Sequence, residues 1–192
     1  MRTWLAIALL AAPAAVAAAP PAVTVCWDYG CDTQRRVTLP PADWGAIRAL
    51  FRPAPADPAV ERERVARAVA RFERAVGHLT GTAADLGGNV AGSGQPFQMD
   101  CIDESLNTDG YLRVLAGRGL LRWHEVAPRQ KRAPWLFDQH WTAVLRERDG
   151  GRAWAVDSWF LDNGRRPYVQ PLEAWLDKAE LPFNPDAPRD ES

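Results

Sequence analysis

Along residues 65–79 the apolar side chains Val65, Val69, Phe72, Val76 and Leu79 recur at intervals of four, three, four and three. That spacing predicts an amphipathic helix packed on a core, with the intervening arginines as its solvated face. Asp57-Pro58 supplies the start, a side-chain cap followed by proline where a missing N–H costs nothing. Upstream, 23–25 and 36–39 read as short strands of a hairpin, and Trp44, Ile47, Leu50 and Phe51 mark a short helix after a turn. Residues 53–58 read as a linker.

Downstream, Ile102, Leu106, Tyr111, Leu112 and Leu115 predict a second long helix, weakened at Gly110 and ended by Gly117 and Gly119. Alternation then predicts strands over 121–126, 140–146 and 153–160, with 129–135 as a polar, proline-bearing loop. Asp149-Gly150-Gly151 reads as a hairpin turn. A further strand over 168–170 and a closing helix over 171–176, with Leu172, Trp175 and Leu176, complete the pattern. The helix that opens near residue 101 is expected to lie buried against the sheet these strands form.

A length of 192 residues suits one domain with a sizeable core. Residues 1–17 look like a secretory signal: Arg2, an apolar run over 5–10, and the small-x-small site Ala15-Val16-Ala17. The expected organisation is a leader over 1–17, a single domain over 18–181 and a disordered tail over 182–192. The apolar run is too short to span a bilayer, so no stable membrane anchor is expected. The formal net charge is −1. Losing Arg2 with the leader makes it more negative, so no basic field exists to recruit nucleic acid. The chain is expected to be monomeric.

Three cysteines change the picture. Cys26 and Cys31, in Cys-Trp-Asp-Tyr-Gly-Cys, are expected to form a local disulfide in an oxidising compartment, contributing on the order of 2 kcal/mol. Their spacing is not the two-residue gap of redox motifs. Cys101 is left unpaired, at the start of a helix. Asp100 is placed to cap that helix, and Asp103 to return a bond as in a capping box. The first N–H groups and the dipole favour a thiolate at Cys101, whereas Asp100, Asp103 and Glu104 oppose it. A nearby imidazolium is therefore required.

His140 and Asp157 are the candidates, and hairpin geometry decides whether they meet. A turn at Asp149-Gly150 pairs residues whose numbers sum to 299, and one at Gly150-Gly151 gives 301. Either sum sets the two side chains on one sheet face; a three-residue loop without a bulge would separate them. Assembled, Cys101 is the nucleophile, His140 the base and Asp157 the group that orients the ring. The Cys101 N–H, with a Gln95 or Gln98 side-chain amide, is a candidate oxyanion donor. His78 and His124 read as structural.

Zinc on Cys101, His140 and Asp157 lacks a short-spaced ligand pair, so no metal and no cofactor are assigned. The glycine-rich stretch 81–94 lacks a Walker lysine and any G-x-G-x-x-G, and reads instead as a flexible approach to Cys101.

These residues carry a resemblance. Asp100-Cys101, then Gln139-His140-Trp141-Thr142-Ala143-Val144, then Trp154-Ala155-Val156-Asp157-Ser158-Trp159 resemble the transglutaminase-like branch of the papain-like cysteine enzymes. Bacterial transglutaminase-like cysteine proteinases are similar over residues 95–165. The resemblance implies an α+β fold with N-terminal helices packed on an antiparallel sheet, the same triad with the Cys on a helix and His and Asp on the sheet, and a protein or peptide substrate. Ile102 stands where those proteinases often carry an acidic residue associated with calcium. Arylamine N-acetyltransferases share the residue order, but their acetyl-CoA donor is cytosolic. The expected function is a periplasmic or secreted thiol enzyme that hydrolyses or transfers the acyl group of an amide. A non-catalytic module binding peptide or glycan through its tryptophans is the alternative from another class.

Overall fold

The computed structural model describes residues 19–133 and 139–186. The expected leader, residues 134–135 of the expected loop, and the tail beyond residue 186 lie outside them. The described residues form a mixed α and β structure with two antiparallel sheets and four α-helices. Strands β1 (Ala22–Trp27) and β2 (Thr33–Thr38) form the expected hairpin. Helices α1 (Pro41–Ala49) and α2 (Pro58–Thr80) follow, and the Asp57 carboxylate accepts the Val60 N–H at 2.8 Å. Val65, Val69, Phe72 and Val76 are buried as the stripe requires, but Leu79 is exposed.

Helix α3 (Cys101–Gly117) packs against β1 and against the second sheet. Its cap matches the sequence reading: the Asp100 side chain accepts from Ile102 N and Asp103 N, and Asp103 returns a bond to Asp100 N. Its buried face is the expected one only in the second half, where Tyr111, Leu112 and Leu115 are buried. Asp103, Glu104, Ser105, Asn107 and Thr108 are buried through the first two turns, while Ile102 and Leu106 are only half-buried. The polar face is satisfied by distant partners. Asn107, for example, bonds both the N–H and the carbonyl of Cys26 in β1, at 2.7 and 2.9 Å.

The second sheet is an antiparallel meander of β3 (His124–Arg132), β4 (His140–Glu147), β5 (Ala153–Asp157) and β6 (Tyr168–Pro171), closed by α4 (Leu172–Leu176). Two expectations are corrected here. The strand expected over 121–126 begins at His124, because the N–H groups of Arg122, Trp123 and His124 are taken by the buried Glu61 carboxylate. It then runs through Pro128 into the expected loop. β3 is an edge strand with a shift in pairing between Ala127 and Gln130, and edges and bulges are where strands tolerate proline. The third expected strand stops at Asp157 rather than reaching Phe160.

Between β1 and β2, the Cys26–Cys31 disulfide is present. Asp28, Tyr29, Gly30 and Cys31 inside it all have positive φ. That region costs an ordinary L-residue about 1–2 kcal/mol. No helix among the described residues is long and apolar enough to cross a membrane. Residues 182–186, at the start of the expected tail, lie against the body, where Arg166 pairs with Asp186 at 2.8 Å.

Candidate active site

The β4–β5 pairing answers the question of the turn. Ala143 faces Val156 and Val144 faces Ala155, so paired numbers sum to 299. His140 and Asp157 therefore share a face on adjacent strands. His140 Nε2 donates to Asp157 Oδ2 at 2.7 Å, and both residues are buried. The bond to Asp157 uses Nε2 and leaves Nδ1, and Cys101 borders the same cleft as His140, close enough for its charge to act on the ring. Cys101 is the first residue of α3, is half-buried, and lies 3.8 Å from the Gln139 carbonyl oxygen.

Burial pushes the His140 pKa down. The hydrogen bonds to Asp157 and Cys101, with their charges, outweigh burial and raise it to about 9. The ring therefore holds its proton at neutral pH. Asp157 is itself held by Trp175 of α4, whose indole N–H donates to the same Oδ2 at 2.7 Å. Trp159, Phe160 and Trp175 surround the imidazole, with ring centroids at 4.9, 5.1 and 5.5 Å. Arg132 lies over the Trp175 ring at 4.5 Å.

The acidic neighbours of Cys101 carry less charge than their number suggests. Burial pushes Glu104 well above the usual carboxylate range, and the charges of Glu73 and Asp85 add to it. It accepts from Ser158 Oγ at 2.9 Å. Burial also raises Asp103 to about 7, against the pull of backbone donors at Asp100 and Cys31. Arg129 donates to Ser105 Oγ at 2.8 Å, and burial lowers its pKa against the pull of the Asp109 and Cys101 charges.

Cys101 and His140 open onto a cleft of about 360 Å³ bordered by Tyr29, Asn89, Val90, Ser93, Gln139 and Trp159. The glycine-rich stretch forms one wall of it and is pinned rather than loose. Tyr29 Oη donates to the Asn89 carbonyl, Gly88 N to the Trp159 carbonyl at 2.7 Å, and Gly87 N to Asp162 Oδ1 at 3.0 Å. A Cβ on Gly87 would lie 2.4 Å from the Leu161 backbone, so only glycine allows this approach. Gln98 belongs to the same scaffold. Its Oε1 accepts from Asn89 Nδ2 at 2.6 Å, and its Nε2 donates to the Ala84 carbonyl at 3.2 Å, so the amide is committed away from the sulfur. Gln95 is exposed in a turn closed by its own N–H to the Gly92 carbonyl, and is not among the residues bordering the cleft.

His124 is fully buried on Glu61, outside this cleft. Among the described residues, no group of three or more His, Cys, Asp or Glu side chains is placed to hold a metal ion. Trp175, Tyr29 and Asn89 were not singled out from sequence. Their roles depend on contacts that no local pattern announces. Compared with known proteins, the chain matches no family model, and no curated protein or solved structure is significantly similar to it.

Proposed function

We propose that this chain is an exported thiol enzyme that hydrolyses or transfers the acyl group of a protein or peptide amide, on a papain- or transglutaminase-like α+β fold. One observation carries the reading: the 2.7 Å His140–Asp157 bond stands beside the sulfur of Cys101 at the first position of a capped helix. In that arrangement the charged His140 ring stands beside the nucleophile. The sulfur attacks the amide carbonyl, and the Cys101 N–H supports the oxyanion. His140 gives its proton to the departing amine, then takes one from the water or amine that opens the thioester. Asp157 keeps the ring in one tautomer throughout. Water is the favoured acceptor, since it is abundant and no amine-binding group stands out at the cleft.

The aromatic and amide lining of the cleft suits an extended peptide segment. Export is supported by the leader-like residues 1–17 and by the Cys26–Cys31 disulfide, which belongs to an oxidising compartment such as the periplasm.

The test incubates wild type and Cys101→Ala with a denatured-protein mixture and reads new termini and modified side-chain amides by mass spectrometry. Wild type should generate a defined set of products that Cys101→Ala does not. Identical product lists from the two proteins would remove the enzyme reading and leave the binding module.

A further inference from the structure

The acyl-transfer chemistry makes no use of the disulfide turn, yet the turn is bonded directly to the start of α3. Asp28, Tyr29, Gly30 and Cys31 have φ of 66°, 67°, 68° and 62°. Gly30 adopts this region freely, but Tyr29 and Cys31 do not. Such a run persists only where its surroundings over-determine it. Two constraints do so here. The disulfide closes the turn, with 4.7 Å between the Cα atoms of Cys26 and Cys31. Three successive N–H groups of the turn then converge on the capping box of α3. Tyr29 N donates to Asp103 Oδ2 at 2.9 Å, Gly30 N to Asp100 Oδ2 at 3.1 Å, and Cys31 N to Asp103 Oδ1 at 2.6 Å. Successive N–H groups turned toward one anion form a nest. The carboxyl groups in this nest are those of Asp100, directly before Cys101, and Asp103, two residues after it. Tyr29 adds a wall to the cleft and holds the glycine-rich stretch through the Asn89 carbonyl.

We propose that the oxidised Cys26–Cys31 turn is a redox-controlled positioning element for Cys101, and that opening the disulfide slackens both the helix start and the cleft wall. The proposal rests on reading Cys101 as the nucleophile. A dithiol reductant supplies two electrons and two protons. The S–S bond opens to two thiols, and the reductant becomes a disulfide. Without that closure the turn relaxes toward negative φ, and its N–H groups leave Asp100 and Asp103. The consequence is a thiol enzyme that is slack in a reducing compartment and assembled where disulfides form.

The test uses the full chain, oxidised, reduced with dithiothreitol and freed of it without air, or reduced and then reoxidised with oxidised glutathione. Each sample is labelled with iodoacetamide across pH 5–9, and the Cys101 peptide is followed by mass spectrometry. In the oxidised protein, Cys101 should label fast below pH 8. Reduction should slow it at pH 7 by about tenfold and shift its pH profile to that of an ordinary thiol, which is only a few per cent ionised there. Reoxidation should restore both, and far-UV circular dichroism should not change. An oxidised Cys101 no faster than a free thiol overturns the nucleophile reading, and the proposal with it. A fast oxidised Cys101 that keeps its rate and profile while Cys26 and Cys31 carry label overturns the proposal alone. Loss of the helical signal on reduction also overturns it, because the disulfide is then a general stability element.

Discussion

Two histidines of the second sheet each hold a buried carboxylate at hydrogen-bond distance. His140 meets Asp157 at 2.7 Å, and His124 meets Glu61 at 2.9 Å. What separates them is the rest of each neighbourhood. Glu61 accepts from three backbone N–H groups as well as from His124 Nδ1. The other His124 nitrogen lies 3.3 Å from the Arg62 guanidinium, which can only donate, so that nitrogen accepts. Arg62 is fixed in turn by Glu147 at 2.7 Å and by the Trp154 ring at 3.6 Å. Every position around that pair is filled. His140 instead offers its second nitrogen to a thiol at the edge of a cleft. A buried histidine–carboxylate pair is thus a fastener or a proton store according to what faces the free nitrogen.

Breaking each pair should separate the two uses. His140→Gln should lower any amide hydrolysis at pH 7 by about 10³-fold or more, and the iodoacetamide rate of Cys101 by about tenfold, since an ordinary thiol is still a few per cent ionised there. Breaking the other pair with Glu61→Ala should lower unfolding free energy in urea by about 3–5 kcal/mol, since it orphans backbone donors and a buried imidazole. The folded fraction should label at the wild-type rate. A Glu61→Ala protein that stays folded but loses Cys101 reactivity would erase the distinction.

The two pairs should also fail at opposite ends of the pH scale. Burial raises the Glu61 pKa, but the hydrogen bonds from His124, Arg122 and Trp123 win, so it is lowered overall. A depressed carboxylate contributes stability above its unfolded pKa and loses it as pH falls. His140 is raised to about 9, so its contribution is complete below the unfolded value near 6.5 and disappears as pH rises through 9. Urea unfolding of wild type and His140→Gln should therefore differ by up to about 3 kcal/mol at pH 6 and converge above pH 9. Buried acids such as Asp85, which burial lifts to about 7, are present in both proteins and cancel in the difference. A gap that stays constant from pH 6 to 10 would mean that His140 gains nothing from its partners.

What the sequence made legible was local. Asp57-Pro58 and Asp100 with Asp103 announce helix starts because a cap and its N–H groups lie within a few residues. The sheet face shared by His140 and Asp157 followed from strand parity once a turn was assumed. The buried polar face of α3 was not legible, because the partners of Asn107 and Thr108 lie 81 and 50 residues away. Nor was the path of β3 through Pro128, since nothing local marks a strand as an edge. Gln98 was read as free to aid the reaction, because the Asn89 and Ala84 groups that occupy it come from the folded loop.

The smallest effect concerns how each carboxylate is held. Three of the donors to Glu61 are backbone and cannot be deleted singly by substitution, whereas Asp157 depends on the Trp175 side chain. Trp175→Phe keeps a ring against His140 and beneath Arg132 but removes the N–H. A hydrogen bond to a charged group is worth about 1.5–3 kcal/mol, of which orientation of the His140 ring draws only a part. The Cys101 alkylation rate should fall by about tenfold or less. Its acid limb should move to higher pH, because a carboxylate aimed less firmly at the ring favours the His140 imidazolium less. An unchanged acid limb would reduce Trp175 to packing. Asp157 would then be held in place by the His140 donor and the longer 3.3 Å contact from Trp159 N, a poorer set than Glu61 enjoys. That outcome would put the whole difference between the two pairs on the thiol.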